Sequence, residues 1–572
     1  MTMILLACSA SQALAAQQPP LIRLGLEPQH LAYPSHLPTR GYSFSEVLFV
    51  NYSTLLANKT ITIQYYYNSL WWNLTAFTGN SVGFTQLYVP VTAYWAHSGA
   101  NILRAVSGVY ASNNITLTVS ENSNGFELDA LLYTALISFA LGLIFLADKV
   151  KPKKFILAML ALYVVIAPFT GQRYDVYFLV TSGIRVLEHV NPFNPGQPPV
   201  YPYPLKWAYP PLYPPYSALS FLVYSWVTHN TIPTVSNTVY PGYYTAVYSV
   251  WRGYVTPSMP ILVFLLKLPM IASFVAVYRV LSVRVGERTA LKQWAANPLA
   301  LLVCCVWGQL DPIATALTLL SLDSYSRGRM TQAYLWAALG GAIKLWPAVV
   351  IPIYLAQGVR LQRARLFRPV VLGVLPVAAA SVGVYAYFGH PLQTLDILVY
   401  ARSVPTYAGE FSVNGLTWQW ILYFLDSPPI PLFLIVGPIV YAAILVYAYK
   451  KPEADPITLL IIVVLTLFLT YNYVNPQYFL WIVPLLILQK RTNSVWIFTA
   501  LPLIFVGLSY NVFYFLSPAL LYDTYAPAAS IAEELKLAFF YNNRPLFIAV
   551  ASILPLLAYI CELTSQVKRI LV

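Results

Sequence analysis

The stretch Leu301-Leu302-Val303-Cys304-Cys305-Val306-Trp307-Gly308-Gln309-Leu310-Asp311-Pro312-Ile313-Ala314-Thr315-Ala316 decides the fold. Two short apolar halves, about 294–308 and 312–325, flank a turn that holds an amide, a carboxylate and a proline. Ionisable groups so close to apolar runs are costly to keep and usually mark function. Broken helices with polar turns suit backbone that lines a protein cavity, where the freed backbone groups can be satisfied. The same design recurs in Ala342-Ile343-Lys344-Leu345-Trp346-Pro347 and in Tyr473-Val474-Asn475-Pro476-Gln477-Tyr478.

Working outward, apolar runs lie at about 127–147, 155–170, 258–281, 294–308, 312–325, 332–345, 347–357, 369–387, 430–449, 456–471, 478–489, 494–512 and 545–563. Over the 572 residues, 58% are hydrophobic and 9% charged. A soluble domain carries roughly 25% charged residues, which excludes a large soluble enzyme. The 44 prolines sit in aromatic-rich apolar sequence, not in polar tracts, so they do not signal disorder. The expected fold is an all-α polytopic membrane protein with about thirteen crossings, several of them short or broken. A further apolar piece, 211–228, reads as a re-entrant or interfacial segment, because counting it as a crossing would misplace the cations that follow.

The net charge of +13 reports topology before any acidic partner. Twenty of the 33 Lys and Arg fall in short gaps between apolar runs: 149, 151, 153 and 154; 279, 284, 288 and 292; 327 and 329; 360, 363, 365 and 368; 450 and 451; 490 and 491; 568 and 569. Cytoplasmic loops hold the cations of membrane proteins. A chain that starts outside and crosses thirteen times puts all these clusters, and the C-terminus, in the cytoplasm. No nucleic-acid partner is implied. Four cysteines and six scattered histidines give neither a disulfide framework nor a metal site.

Residues 1–16 read either as a short secretory signal ending in Ala13-Leu14-Ala15-Ala16 or as an apolar N-terminus. Residues 17–126 differ in kind. Thr60-Ile61-Thr62-Ile63-Gln64-Tyr65 and Asn114-Ile115-Thr116-Leu117-Thr118-Val119 alternate with period two and are rich in β-branched residues. A small extracytoplasmic β-sandwich is expected there. The sequons at Asn51, Asn58, Asn73 and Asn114 all fall in this region, which suits an exported, glycosylated domain. The membrane domain is expected over 127–572, with a large outward loop at 171–257.

That loop opens Gly171-Gln172-Arg173-Tyr174-Asp175 and continues through Asn191-Pro192-Phe193 to Tyr201-Pro202-Tyr203-Pro204-Leu205-Lys206-Trp207-Ala208-Tyr209-Pro210-Pro211-Leu212. Asp175 reads either as a carboxylate acting on a substrate at the membrane surface or as a helix cap. Asp311 divides the same way, between function and capping before Pro312. Lys344 and Lys267, the latter in Leu265-Leu266-Lys267-Leu268-Pro269, read as cations for an anionic headgroup or as snorkelling side chains. Tyr203, Trp207, Tyr209 and Tyr478 offer faces to sugar or prenyl groups, or form an interfacial belt. Gln309, Asp311 and Gln477 can bind sugar hydroxyls.

The order of these motifs resembles the GT-C superfamily of integral-membrane glycosyltransferases. It runs from an Asp after an early span to Asn-Pro-Phe, Tyr-Pro-Pro-Leu and Leu-Lys-Leu-Pro, then Asn-Pro before Gly-Gln-x-Asp, Ile-Lys-x-x-Pro and a late Asn-Pro-Gln-Tyr. The resemblance covers roughly 155–490 and is nearest to the polyprenol-phosphate-mannose-dependent mannosyltransferases. It implies a dolichyl- or polyprenyl-phosphate-sugar donor, a glycan, glycolipid or glycoprotein acceptor, and an Asp base at the position of Asp175. Lys344, Lys267 and Arg402 would serve the donor phosphate. Arg173, Tyr203, Tyr209, Gln309, Asp311, Asn475, Gln477 and Tyr478 would line the sugar and acceptor site. The family often shows two acidic residues in the first loop, and here Arg173-Tyr174-Asp175 supplies one. That departure favours chemistry without a metal or other cofactor. The competing readings are a transporter or lipid flippase, an oligosaccharyltransferase relative, and a non-catalytic glycan-binding membrane protein. The composition suits an archaeal plasma membrane, with the N-terminal domain extracellular.

Overall fold

The computed structural model describes residues 22–27, 30–33, 44–79, 81, 84–91, 99–121, 124–189, 191–193, 209–229, 258–362, 367–388, 414–425, 430, 432–510, 515, 540 and 543–571. The possible signal segment lies outside the described residues. So do the sequence around Tyr203 and Trp207 and the segment that contains Arg402.

The chain is mostly helical, with a small β region at its N-terminal end. Strands β1 (Ile22–Glu27), β3 (Phe44–Tyr52) and β6 (Phe84–Val91) form one antiparallel sheet in the order β1-β3-β6. The second sheet runs β2-β9-β7-β4-β5, from β2 (His30–Tyr33), β9 (Ile115–Glu121), β7 (Gly99–Ser107), β4 (Thr60–Tyr67) and β5 (Leu70–Thr78), and β8 (Tyr110–Ala111) pairs with β7. Period-two alternation sends Ile61 and Ile63 of β4 and Leu103 and Ala105 of β7 inward, where they share one buried cluster with Ile22, Leu24, Leu48 and Val50 of the other sheet. All four sequon asparagines are exposed.

Helices then stand on every apolar run read from the sequence. They are α1 (Asn124–Lys149), α2 (Pro152–Ile166), α3 (Arg173–Leu187), α4 (Tyr213–Thr228), α5 (Met259–Val285), the bent pair α6 (Glu287–Ala295 and Pro298–Trp307), α7 (Asp311–Ser326) and α8 (Met330–Ile343). They continue as α9 (Val350–Gln362), α10 (Phe367–Tyr387), α11 (Leu432–Lys450), α12 (Pro456–Thr470), α13 (Phe479–Leu488), α14 (Thr492–Ser509) and α15 (Arg544–Leu571). Among the described residues, seven helices are long and apolar enough to cross a membrane, or eight if the bent pair is one span. This is a multi-pass membrane protein by length and composition. The expected count of thirteen crossings exceeds that number, because several helices, α12 and α13 among them, are shorter than the roughly 20 residues of a full span. The piece at 211–228 forms α4, which opens with two prolines and is not among the candidate spans.

The bend in α6 is 59° and has a local cause. Pro298 cannot donate to the helix ladder, and Asn297 starts the second half by accepting from Leu299 N at 2.9 Å. The Asn297 amide donates to Gln293 O and to Thr499 Oγ1, which ties the break to α14. Asn-Pro is reused at Asn191, which accepts from Phe193 N at 2.8 Å and donates to Phe388 O, and at Asn475, which opens the one-turn helix Pro476–Tyr478. The second half of α6 ends at Gly308, whose φ of 82° is left-handed. A Cβ there would also come within 2.8 Å of Lys267 Cε.

Two faults therefore meet in any side chain at that position. Gly308→Ala is expected to lower stability by about 1–3 kcal/mol, read as a lower thermal midpoint of the detergent-solubilised protein. A midpoint equal to that of the parent would show that the turn relaxes freely.

Candidate functional site

The polar turns seen in the sequence converge. Asp175 lies in the first turn of α3, ahead of its apolar part, where the backbone N–H groups of a helix start favour a carboxylate. Gln172, not Asp175, caps this helix: its side chain accepts from Asp175 N at 2.8 Å. The carboxylate is thereby left for other partners. Trp307 Nε1 donates to Asp175 Oδ2 at 2.6 Å, and the Gln309 side chain bonds the same carboxylate. Asp175 is half-buried. Burial pushes its carboxyl up to about 6, against the hydrogen bonds of Trp307 and Gln309 and the charge of Lys344, which pull it down; the Asp311 charge adds to the rise.

Asp311 starts α7, and Lys344 follows the last turn of α8 in extended backbone before Pro347. Lys344 Nζ lies 2.7 Å from Asp311 Oδ1, and both side chains are almost wholly buried. Trp481 Nε1 of α13 donates to that same oxygen. Asp311 Oδ2 has no hydrogen-bond partner among the described residues, nor does Gln477 Oε1. Aromatic faces surround the ammonium, with ring centroids of Tyr478 at 4.7 Å, Tyr209 at 5.3 Å and Trp481 at 5.4 Å. Tyr478, Trp481 and Trp346 stack in a column, at 4.3 and 5.1 Å between centroids. Of the residues named from the sequence, the structure thus brings together Asp175, Gln309, Asp311, Lys344, Tyr209 and Tyr478. Gln477 stands in the turn preceding Trp481, after Asn475.

Lys267 plays another part. It is fully buried in α5, and its Nζ donates to Thr170 O at 2.6 Å, Cys305 O at 2.8 Å, Val306 O at 2.9 Å and Thr170 Oγ1 at 3.2 Å. Three carbonyls and a hydroxyl saturate the ammonium, so it does not serve as a donor-phosphate cation. It holds the approach to Asp175 against the end of α6. Gln172 N donates to Trp307 O at 2.9 Å along the same seam. The side chain of Arg173 lies outside what the structure describes, as do Tyr203 and Arg402 altogether.

Three tryptophans escaped the sequence reading as site residues: Trp307, Trp346 and Trp481. A signal was present for the first, which immediately precedes Gly308-Gln309. An indole has one donor and no acceptor, so a buried one needs an oxygen. No protein-family model matches the chain, and no curated protein matches it. The chemistry therefore rests on the site itself. Among the described residues, no three His, Cys, Asp or Glu side chains gather closely enough to hold a metal ion.

The basic turns lie at the other end of the same helices. α7 begins at Asp311 and ends beside Asp323, which pairs with Arg284 and Arg327, each at 2.8 Å. α8 begins after Arg329 and ends at Lys344. α13 follows Tyr478 and ends before Lys490 and Arg491, and Arg491 pairs with Glu562 at 3.1 Å. The Asp311–Lys344 pair thus occupies one end of these helices and the Arg-rich turns, with their acidic partners, the other.

Lys267→Met is expected to leave the buried oxygens of residues 170, 305 and 306 without a donor, at about 1–3 kcal/mol for each group. The readout is folded yield and thermal midpoint in detergent. A folded variant that has lost only affinity for a lipid phosphate would return Lys267 to the ligand site.

Proposed function

We propose that the chain is an integral-membrane glycosyltransferase of the GT-C kind. It transfers a hexose, mannose by resemblance, from a polyprenyl-phosphate-sugar to a glycan, lipid or protein acceptor on the extracytoplasmic face of the plasma membrane. The observation that carries this reading is the Asp175 carboxylate, held by Trp307 and Gln309 within the electrostatic reach of the caged Lys344. Separation of this site from the cationic turns supports an outward site and a cytoplasmic C-terminus. The finer topology, thirteen crossings below an N-terminal β-sandwich, belongs to the same proposal.

The acceptor hydroxyl attacks the anomeric carbon and passes its proton to Asp175. The bond from the anomeric carbon to the lipid phosphate oxygen breaks, and the electron pair leaves with that oxygen. One displacement inverts the anomeric centre. Lys344 stabilises the departing charge, with its position fixed by Asp311 and the surrounding rings. Tyr209 and Tyr478 face the sugar or prenyl chain, and Gln309 and Gln477 bind hydroxyls. Arg173, Tyr203, Arg402 and Asn475 complete the donor and acceptor contacts that the resemblance implies.

Purified protein incubated with labelled polyprenyl-phosphate-mannose is expected to transfer the sugar, and Asp175→Asn to reduce the rate by about 10²–10⁴ at unchanged expression. Full activity in that variant would end the assignment. The base must be ionised, so the rate should rise with pH through about 6 and fall below it. A rate flat between pH 5 and pH 7 would exclude Asp175 as the titrating base. Sidedness is read by Lys59→Cys and Arg329→Cys, each with an impermeant maleimide on intact cells. The first should label and the second should not.

A further inference from the structure

The β region carries a polar and aromatic cluster that sugar transfer does not use. β4 and β5 form a hairpin through Asn68 and Ser69, both at positive φ. Gln64 is paired with Asn73 and Tyr66 with Trp71, while Arg104 of β7 stands opposite Gln64. Alternation sets these five side chains on the face opposite to buried Ile61, Ile63, Leu103 and Ala105.

Their contacts form a chain. Arg104 Nε donates to Gln64 Oε1 at 3.0 Å, and Gln64 Nε2 donates to Asn73 Oδ1 at 2.9 Å. The Arg104 guanidinium lies 3.9 Å from the Trp71 ring centroid, and Tyr66 lies 5.1 Å from Trp71. The Asn73 amide is therefore held by its oxygen. Asn73 and Thr75 of the sequon Asn73-Leu74-Thr75 are exposed, on the edge strand of the sheet. Tyr66 stays 42% exposed beside them. Trp71 precedes Asn73 by two residues, so both project from one face of one strand. At Asn58 and Asn114 the residue two earlier is Leu56 or Ser112, and neither offers a ring; at Asn51 it is Phe49.

We infer that Asn73 carries an N-linked glycan whose first sugar rests on the Tyr66–Trp71 rings. In the attachment step the amide nitrogen bonds to the anomeric carbon of a lipid-linked oligosaccharide. The bond from that carbon to the lipid phosphate oxygen breaks, its electron pair leaving with the oxygen, and the amide proton passes to the transferring enzyme. The apolar C–H face of a pyranose and the face of an aromatic ring bury each other, and the ring's negative π cloud attracts those hydrogens. The inference rests on an extracytoplasmic β region, as in the proposed topology, and not on sugar transfer by this chain.

The test is glycopeptide mass spectrometry on the full chain isolated from its own membranes. The peptide containing Asn73 is expected to bear sugar, and Asn73→Gln to remove the mass of one glycan from the intact chain. Recovery of that peptide wholly unmodified would overturn the inference, whatever the outcome of a transfer assay. Trp71→Ala should lose sugar at Asn73 while the occupancy of Asn58 and Asn114 stays at the parent level. Unchanged occupancy at Asn73 in that variant would refute the seat on the rings. Should Trp71→Ala fail to accumulate, Tyr66→Ala supplies the same comparison.

Discussion

The ammonium of Lys267 is the constraint on which the site depends. Burying an unpaired cation costs far more than any single contact returns, so α5 can hold Lys267 only where oxygens converge. They come from two separate places, the turn at Thr170 and the last residues of α6 at Cys305 and Val306. Those carbonyls are the orphans that helix ends always leave. One buried cation therefore satisfies the end of one helix and draws a second segment onto it. What lies one step beyond each segment is the site, with Gln172 and Asp175 on one side and Trp307 and Gln309 on the other. The absent side chain of Gly308 leaves room for the lysine stem to pass.

The two buried carboxylates divide their roles by environment. Asp311 has no exposure, and Lys344 and Trp481 both claim Oδ1. Asp175 receives only neutral donors, an indole and an amide, and keeps partial contact with solvent. Burial raises its proton affinity, and the Lys344 charge and the two hydrogen bonds only partly offset the rise. Of the two, Asp175 is the one suited to accept a proton, and Asp311 the one suited to hold Lys344 in place.

Much of the helical architecture was legible because lipid and protein interior impose one demand, long apolar helices with every backbone group satisfied. Each apolar run became a helix. The Asn-Pro pairs were legible as motifs, but their physical meaning was not. Asn297 breaks α6 and pins it to Thr499, a residue about two hundred positions away, and no local pattern announces such a partner. For Lys267 the choice between a headgroup cation and a snorkelling side chain could not include the carbonyls it meets, since sequence shows a charge but not the oxygens around it. Trp307 and Trp481 were hidden for the same reason: an indole in an apolar run looks like packing until its acceptor is located. The number of crossings exceeded what length supports, because an apolar run of fewer than roughly 20 residues can be buried in protein as readily as it can span.

The separation of charge along the bundle closes the physical account. A helix of 16 residues such as α7 is about 24 Å long at 1.5 Å per residue. Asp311 and Asp323 therefore answer to different surroundings, although they share one helix. At the Asp323 end, Arg284 and Arg327 are partly exposed and compete with water, so those pairs contribute little energy. At the Asp311 end, Lys344 and its carboxylate are sealed among rings, where the same charges interact strongly and cannot be screened by salt. The two kinds of pair differ in what surrounds them, water at one end and aromatic rings at the other. A chain with so few charged residues can keep the two apart only by placing them at opposite ends of the same helices, and that is how α7, α8 and α13 are built.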